Sequence, residues 1–207
     1  MTTAAQPLRI HLASRSPRRR DLLHQIGVGF DTLLLRQPPR DALELDETPF
    51  RNEEPMAYIQ RIARRKAEHG WRIVQWRRLR SQPVLAADTT VDVDGELIGK
   101  PTSIDEAERL LKRLSGRTHR VLTAVAVTWE ERHLEAISVS EVRFRVVDDD
   151  EIARYIATGE AMDKAGGYGI QGRAGMFVAH LAGSYSGVMG LPLCETALLL
   201  KRFGWTP

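Results

Sequence analysis

Val84-Leu85-Ala86-Ala87-Asp88-Thr89 carries the strongest structural signal in the chain. Four consecutive apolar residues between Pro83 and a carboxylate are too few for a helix and lack the alternation of a half-buried strand. They predict a strand buried on both faces, and such a strand needs helices on both sides of its sheet. Its last residue then emerges at the C-terminal edge, where open α/β sheets bind ligands. Asp88 at that edge can hold a divalent cation, take a proton from water, or only cap a turn.

The flanking elements fit a sheet covered by helices. Residues 8–13 predict a short strand, and Ser16-Pro17 opens a helix with serine as N-cap and proline in the first turn, closed by Gly27. Residues 35–48 are polar and proline-containing and are expected to form a loop, after which Pro55 starts a helix expected to stop near Gly70. Residues 90–93 with Asp94-Gly95 predict a hairpin. Ser103 and Glu106 make a capping-box pattern for a helix that ends at Gly116. Residues 121–129 and 133–144 read as long paired strands, with Glu130-Glu131 at the tip and a bulge near Ser140-Glu141. A helix over 149–158, a strand over 176–181 and a terminal helix from Pro192 to Gly204 complete the chain. With no repeat or linker, residues 1–207 are expected to form a single α/β unit.

Composition narrows the class further. The chain is 43% hydrophobic and 28% charged, enough apolar material for a core and too much for a disordered chain. No apolar run exceeds four residues, so no membrane partner is expected. One cysteine, Cys194, excludes an intrachain disulfide and a cysteine-rich metal site, and the expectation is a cytoplasmic protein. The net charge of +3 is a small excess of 30 basic over 27 acidic residues and does not by itself call for nucleic acid.

The distribution of cations is more telling than their number. In the helix from Pro55, residues Met56, Ile59, Ile62, Ala63 and Ala67 share one face at 100° per residue. Lys66 falls inside that stripe, while Arg61, Arg64 and Arg65 point away, the last two as solvated surface. An ammonium on a buried face either meets an anion or snorkels to water. In the first helix, Arg18 and Arg19 lie on the side of Leu22, Leu23 and Ile26, and both occupy the first turn. Positive charge is disfavoured there by a few tenths to ~1 kcal/mol, unless an anion docks on the free N–H groups. Farther along, 163–175 holds five glycines within ten residues, which allows a backbone to approach a ligand closely.

In order along the chain these motifs are Leu12-Ala-Ser-Arg-Ser-Pro-Arg-Arg19, Arg61-Ile-Ala-Arg-Arg-Lys-Ala67, Ala87-Asp-Thr89, Gly99-Lys-Pro101, Leu114-Ser-Gly-Arg-Thr-His119, Asp163-Lys-Ala-Gly-Gly-Tyr-Gly-Ile-Gln-Gly172 and Gly183-Ser-Tyr-Ser-Gly-Val-Met-Gly-Leu-Pro192. Together they resemble the Maf family of nucleoside triphosphate pyrophosphatases over roughly residues 8–200. The resemblance implies a fold like that of inosine triphosphate pyrophosphatase: a central mixed sheet flanked by helices, two lobes with a cleft between them, and commonly a homodimer. It also implies cleavage of a nucleoside triphosphate to monophosphate and pyrophosphate with a divalent metal, Mg²⁺ or Mn²⁺.

Residue by residue, the family motif carries the proton-acceptor role onto Asp88 and base preference onto Arg18, Thr89 and Gln171. Threonine after the aspartate and glutamine in Gly-Ile-Gln-Gly resemble the dTTP/UTP branch rather than the 7-methyl-GTP branch. Arg18, Arg19, Lys66, Lys100 and Lys164 are the expected triphosphate-binding cations, and Asp88 and Glu47 the expected metal ligands. The Gln171 amide offers a donor and an acceptor that suit N3–H and O4 of uracil or thymine. Arg15 stands where the family usually has a small residue, and Gly187 where asparagine is frequent. Two other readings remain open at this stage. One is a pyrophosphatase for modified or purine nucleotides; the other is a nucleic-acid-binding regulator using the eight Lys and Arg of 61–80 as a basic face.

Overall fold

The computed structural model describes residues 8–34 and 46–206, so most of the loop expected over 35–48 lies outside the described residues. In chain order the elements are β1 (Arg9–Leu12), α1 (Pro17–Gln25), β2 (Gly29–Thr32), α2 (Pro55–Trp76), β3 (Val84–Val93), β4 (Glu96–Ile98), α3 (Ile104–Leu114), β5 (Thr118–Trp129), β6 (Arg132–Phe144), α4 (Asp149–Ile156), β7 (Val178–Ala182), α5 (Tyr185–Met189) and α6 (Leu193–Lys201). Short 3₁₀ turns occupy Ala165–Gly167 and Arg173–Phe177. The strands form one sheet ordered β2-β1-β3-β5-β6-β7, with β4 on the edge of β3. β1 runs parallel to β2 and β3, and every other pairing is antiparallel, so the sheet is mixed and flanked by helices as expected.

Asp88 does not end a strand. β5 pairs with β3 without interruption from Val84↔Thr128 to Asp92↔Arg120, so the strand continues through Asp88 opposite Ala124. What ends near Asp88 is the other neighbour. β1 pairs with β3 only as far as Leu85, and β4 joins the same edge only at Val91. Between these points one edge of β3 has no partner strand, and Asp88 and Thr89 sit in that gap. A four-residue apolar run could not reveal which neighbour would stop pairing.

Three groups of buried side chains hold the sheet. Ile59, Ala63, Ala67 and Val74 of α2 pack on Val84, Ala86 and Ala124, while Leu22 and Leu23 of α1 with Leu199 and Leu200 of α6 pack on Leu85, Ala87 and Val125. Beyond the gap, α3 and α4 cover Val91, Val93, Val142 and Phe144. Alternation along β3 therefore aims Asp88 at α2 and Thr89 at α1.

Several boundaries differ from the sequence expectation for identifiable reasons. α2 runs six residues past Gly70 to Trp76, because that glycine is a packing position: a Cβ there would lie 2.7 Å from Val84 Cγ1. Met56, expected on the apolar stripe, is exposed in the first turn, before α2 reaches the sheet. Ser16 precedes α1 but makes no side-chain cap. Ser103 does cap α3, yet Glu106 reaches back to Thr102 rather than to Ser103, so only half of the expected box forms. The complete capping box is at α4, between Asp148 and Glu151. β5 and β6 pair without a break past Ser140-Glu141, and the irregularity lies at Arg143/Phe144 against β7. Residues 176–177 belong to the 3₁₀ turn, so β7 begins at Val178. No helix among the described residues is long and apolar enough to cross a membrane.

Candidate active site

The gap in β3 opens into a cavity of about 490 Å³. Every residue singled out above for chemistry lines it: Arg18, Arg19, Lys66, Lys100 and Lys164 as cations, Asp88 and Glu47 as carboxylates, and Thr89 and Gln171 as neutral polar groups. These positions span 154 residues of sequence, from Arg18 to Gln171 by way of α1, α2, β3 and the glycine-rich segment.

Lys66 is the centre of the arrangement. It lies one residue before fully buried Ala67 on α2, and its stem is held between helix and sheet with the side chain 17% exposed. The ammonium meets Asp88 Oδ1 at 2.8 Å and Glu47 Oε1 at 2.9 Å. Of the two readings left open by the sequence, the anion contact holds. Because Asp88 is only 18% exposed, this pairing is screened less than a surface ion pair.

Arg19 occupies the opposite wall. Its Nε donates to the Gly190 carbonyl at 2.8 Å, and its terminal nitrogens donate to Thr89 Oγ1 at 3.3 Å and Ser14 Oγ at 3.4 Å. Desolvation lowers the pKa of its guanidinium, an effect opposed by nearby Asp88. Thr123 supports the same wall, its hydroxyl 2.8 Å from the Gly187 carbonyl and 3.0 Å from Thr89 Oγ1. Gly187 is confined, since a Cβ there would lie 3.0 Å from Ser138 Oγ and 3.1 Å from Ser184 Cβ. The asparagine frequent at this position in the resemblance would not fit without displacing those serines. Arg15, the other departure, also lines the cavity.

Arg18 ties the first turn of α1 to the glycine-rich segment through a 2.9 Å ion pair with Asp163. Lys164 pairs with the same carboxylate and donates to the Glu160 carbonyl at 2.6 Å, with its stem lying over Gly169. Lys100 stands exposed at the rim with no ion-pair partner among the described residues, and the Gln171 amide likewise makes no hydrogen bond among them. Cations at the wall and an unengaged amide at the rim suit an anionic tail below a polar ring.

Other contributors were not legible in the sequence. Arg61 points away from the apolar stripe as expected, but it is no idle surface residue. It grips Glu53 with two 2.6 Å contacts, donates to the Thr48 carbonyl at 3.1 Å and lies 4.0 Å over the Phe50 ring. This clamp fixes the segment immediately after Glu47. Arg64, expected to be solvated, makes two contacts with Glu135 at 2.5 and 3.1 Å. Burial, with Asp88 and Glu47 adding, pushes the Tyr58 phenol up to about 12. The serine in Leu12-Ala-Ser14 was the one available hint of the Arg19 contacts; nothing in the sequence pointed to Gly190, 171 residues away.

The family described as Maf-like protein matches residues 9–203. A dTTP/UTP pyrophosphatase of Dechloromonas aromatica is 58% identical over 200 residues, 97% of this chain and 100% of that protein. A dTTP/UTP pyrophosphatase of Aromatoleum aromaticum is 57% identical over 199 residues, 95% of this chain and 96% of that protein. Among solved structures, the Staphylococcus aureus Ham1 protein matches with a TM-score of 0.47 and 14% identity, covering 94% of this chain and 97% of its own.

Proposed function

The chain belongs to the Maf-like protein family, and from that premise we propose that it hydrolyses dTTP and UTP to the monophosphate and pyrophosphate in the β3 cavity. The observation that carries the reading is convergence: six cations with Arg15 included, a half-buried aspartate and an unengaged glutamine amide line one hollow. A triphosphate bears up to four negative charges, and the cations oppose its repulsion of an incoming nucleophile. Arg18, Arg19, Lys66 and Lys100 hold the phosphate tail and stabilise charge that builds on departing pyrophosphate, with Lys164 at the margin. Asp88 accepts the proton of the water that attacks the α-phosphorus.

A divalent cation fits the donor set. Glu47 and Asp88 both come within hydrogen-bond reach of one ammonium, so the same two carboxylates suit Mg²⁺ or Mn²⁺, with waters and phosphate oxygens completing the shell. No group of three or more such ligands occurs among the described residues. When bound, such an ion neutralises phosphate charge and lowers the pKa of the attacking water.

The direct test is pyrophosphate release from UTP, dTTP, CTP, ITP and 7-methyl-GTP, with Mg²⁺, with Mn²⁺ and with chelator. Turnover of UTP and dTTP that needs the metal is expected; preference for ITP or 7-methyl-GTP would defeat the assignment. Base reading by Gln171 has its own check. Gln171→Glu puts two acceptors opposite O4 and is expected to lower kcat/KM for UTP and dTTP about 10²-fold or more, because a mismatched polar contact leaves buried groups unpaired. Unaltered kinetics on both nucleotides would remove Gln171 from recognition.

A further inference from the structure

We propose that His119 is a positioning residue for base selection: through the Tyr168 hydroxyl it fixes the glycine-rich segment that presents Gln171. The inference rests on the reading of Gln171 as the base-contacting residue. Its starting point is a problem that reading leaves unsolved. A flipped amide would accept cytosine as readily as uracil, so discrimination needs something to hold the amide's orientation. No group among the described residues hydrogen-bonds the Gln171 side chain, so the backbone that carries it sets where the amide stands relative to the base and to the groups that favour one of its two orientations.

That backbone is anchored through aromatic hydroxyls. Tyr168, three residues before Gln171, lines the cavity and sets its OH 2.7 Å from Nε2 of His119 on β5. The Tyr155 hydroxyl accepts the Gly169 N–H at 3.3 Å. Gly166 and Gly167, at φ of 71° and 72°, let the chain turn close under β3, where a Cβ on Gly166 would lie 2.9 Å from Val91 Cγ2. The His119 ring meets Tyr168 and Phe144 edge-on, with centroids 5.4 and 5.1 Å away, and these two rings are 4.8 Å apart.

The imidazole is an odd choice for packing alone. His119 is 2% exposed, and its Nδ1 is buried with no partner among the described residues. A phenylalanine would fill the same space without that desolvation cost. The polar contact it does make is the one to Tyr168. Burial holds its pKa down to about 4, so the ring stays neutral at physiological pH.

The experiment compares Tyr168→Phe, which keeps the ring and deletes one hydroxyl, with His119→Phe and the double variant. Kinetics on UTP, dTTP and CTP are measured with a thermal melt for each. Tyr168→Phe is expected to raise KM for UTP about ten-fold with a smaller change in kcat, and to shrink the UTP-over-CTP ratio of kcat/KM by a similar factor. His119→Phe is expected to match it, and the double variant to be no worse than either, because all three lose one shared contact. If Tyr168→Phe melts lower but keeps the wild-type UTP-over-CTP ratio, the role is structural and the proposal is wrong, whether or not His119→Phe folds. Additive losses in the double variant would also overturn it. Wild-type enzyme that does not distinguish UTP from CTP would sink the base-reading assignment itself and this proposal with it, a failure visible before any variant is made.

Discussion

Asp88→Asn is expected to cut kcat/KM for UTP and dTTP by about 10³-fold while the protein stays folded. The change is nearly isosteric, and the strand backbone pairs with β5 opposite Ala124 whatever the side chain does. The loss falls on the chemistry, because an amide cannot take a proton from water and binds a divalent cation poorly. Pyrophosphate release and thermal unfolding, measured on the same preparation, check both halves. Raising metal concentration then separates the two roles open to this carboxylate. Recovery of turnover at high Mg²⁺ or Mn²⁺ would identify Asp88 chiefly as a ligand; no recovery would identify it as the base. Near-normal turnover without added metal would take Asp88 out of the mechanism.

Lys66→Met is the second large effect. Methionine continues the apolar stripe of α2, so the helix keeps its packing on Ala86 and Ala124. Two things are lost. One phosphate contact disappears, with an expected barrier increase of about 2–4 kcal/mol, or roughly 30-fold to 10³-fold in kcat. Asp88 and Glu47 also lose the cation between them, which leaves a partly buried carboxylate unpaired and is expected to lower stability by about 1–3 kcal/mol. Steady-state kinetics beside a urea titration measure the two separately. A variant as active as wild type would mean that Lys66 only neutralises the two acids.

Much of this arrangement follows from local chemistry. The stripe of Ile59, Ile62, Ala63 and Ala67 dictates which face of α2 is buried, and with it that Lys66 lies on the sheet side. Asp94-Gly95 makes the tight turn because both residues take positive φ, at 56° and 85°. Gly70 misled for the opposite reason. A glycine in a helical pattern looks like a stop, and only the approach of Val84 reveals it as a place where two elements touch.

Residue types and short-range periodicity belong to the sequence alone. They determined that helices would cover a sheet, that Lys66, Arg18 and Arg19 would sit where apolar residues are expected, and that Asp88 would follow a buried run. Pairing over long separations was the province of the tertiary structure. It decided that β1 would leave β3 at Leu85 and β4 arrive at Val91, opening the strand edge between them. It also decided that Arg18 would meet Asp163, that Arg19 would meet Gly190, and that His119 would stand behind Tyr168. The reason is physical: hydrogen-bond register and side-chain contact depend on which elements pack together, and no spacing within one element encodes the identity of its neighbour.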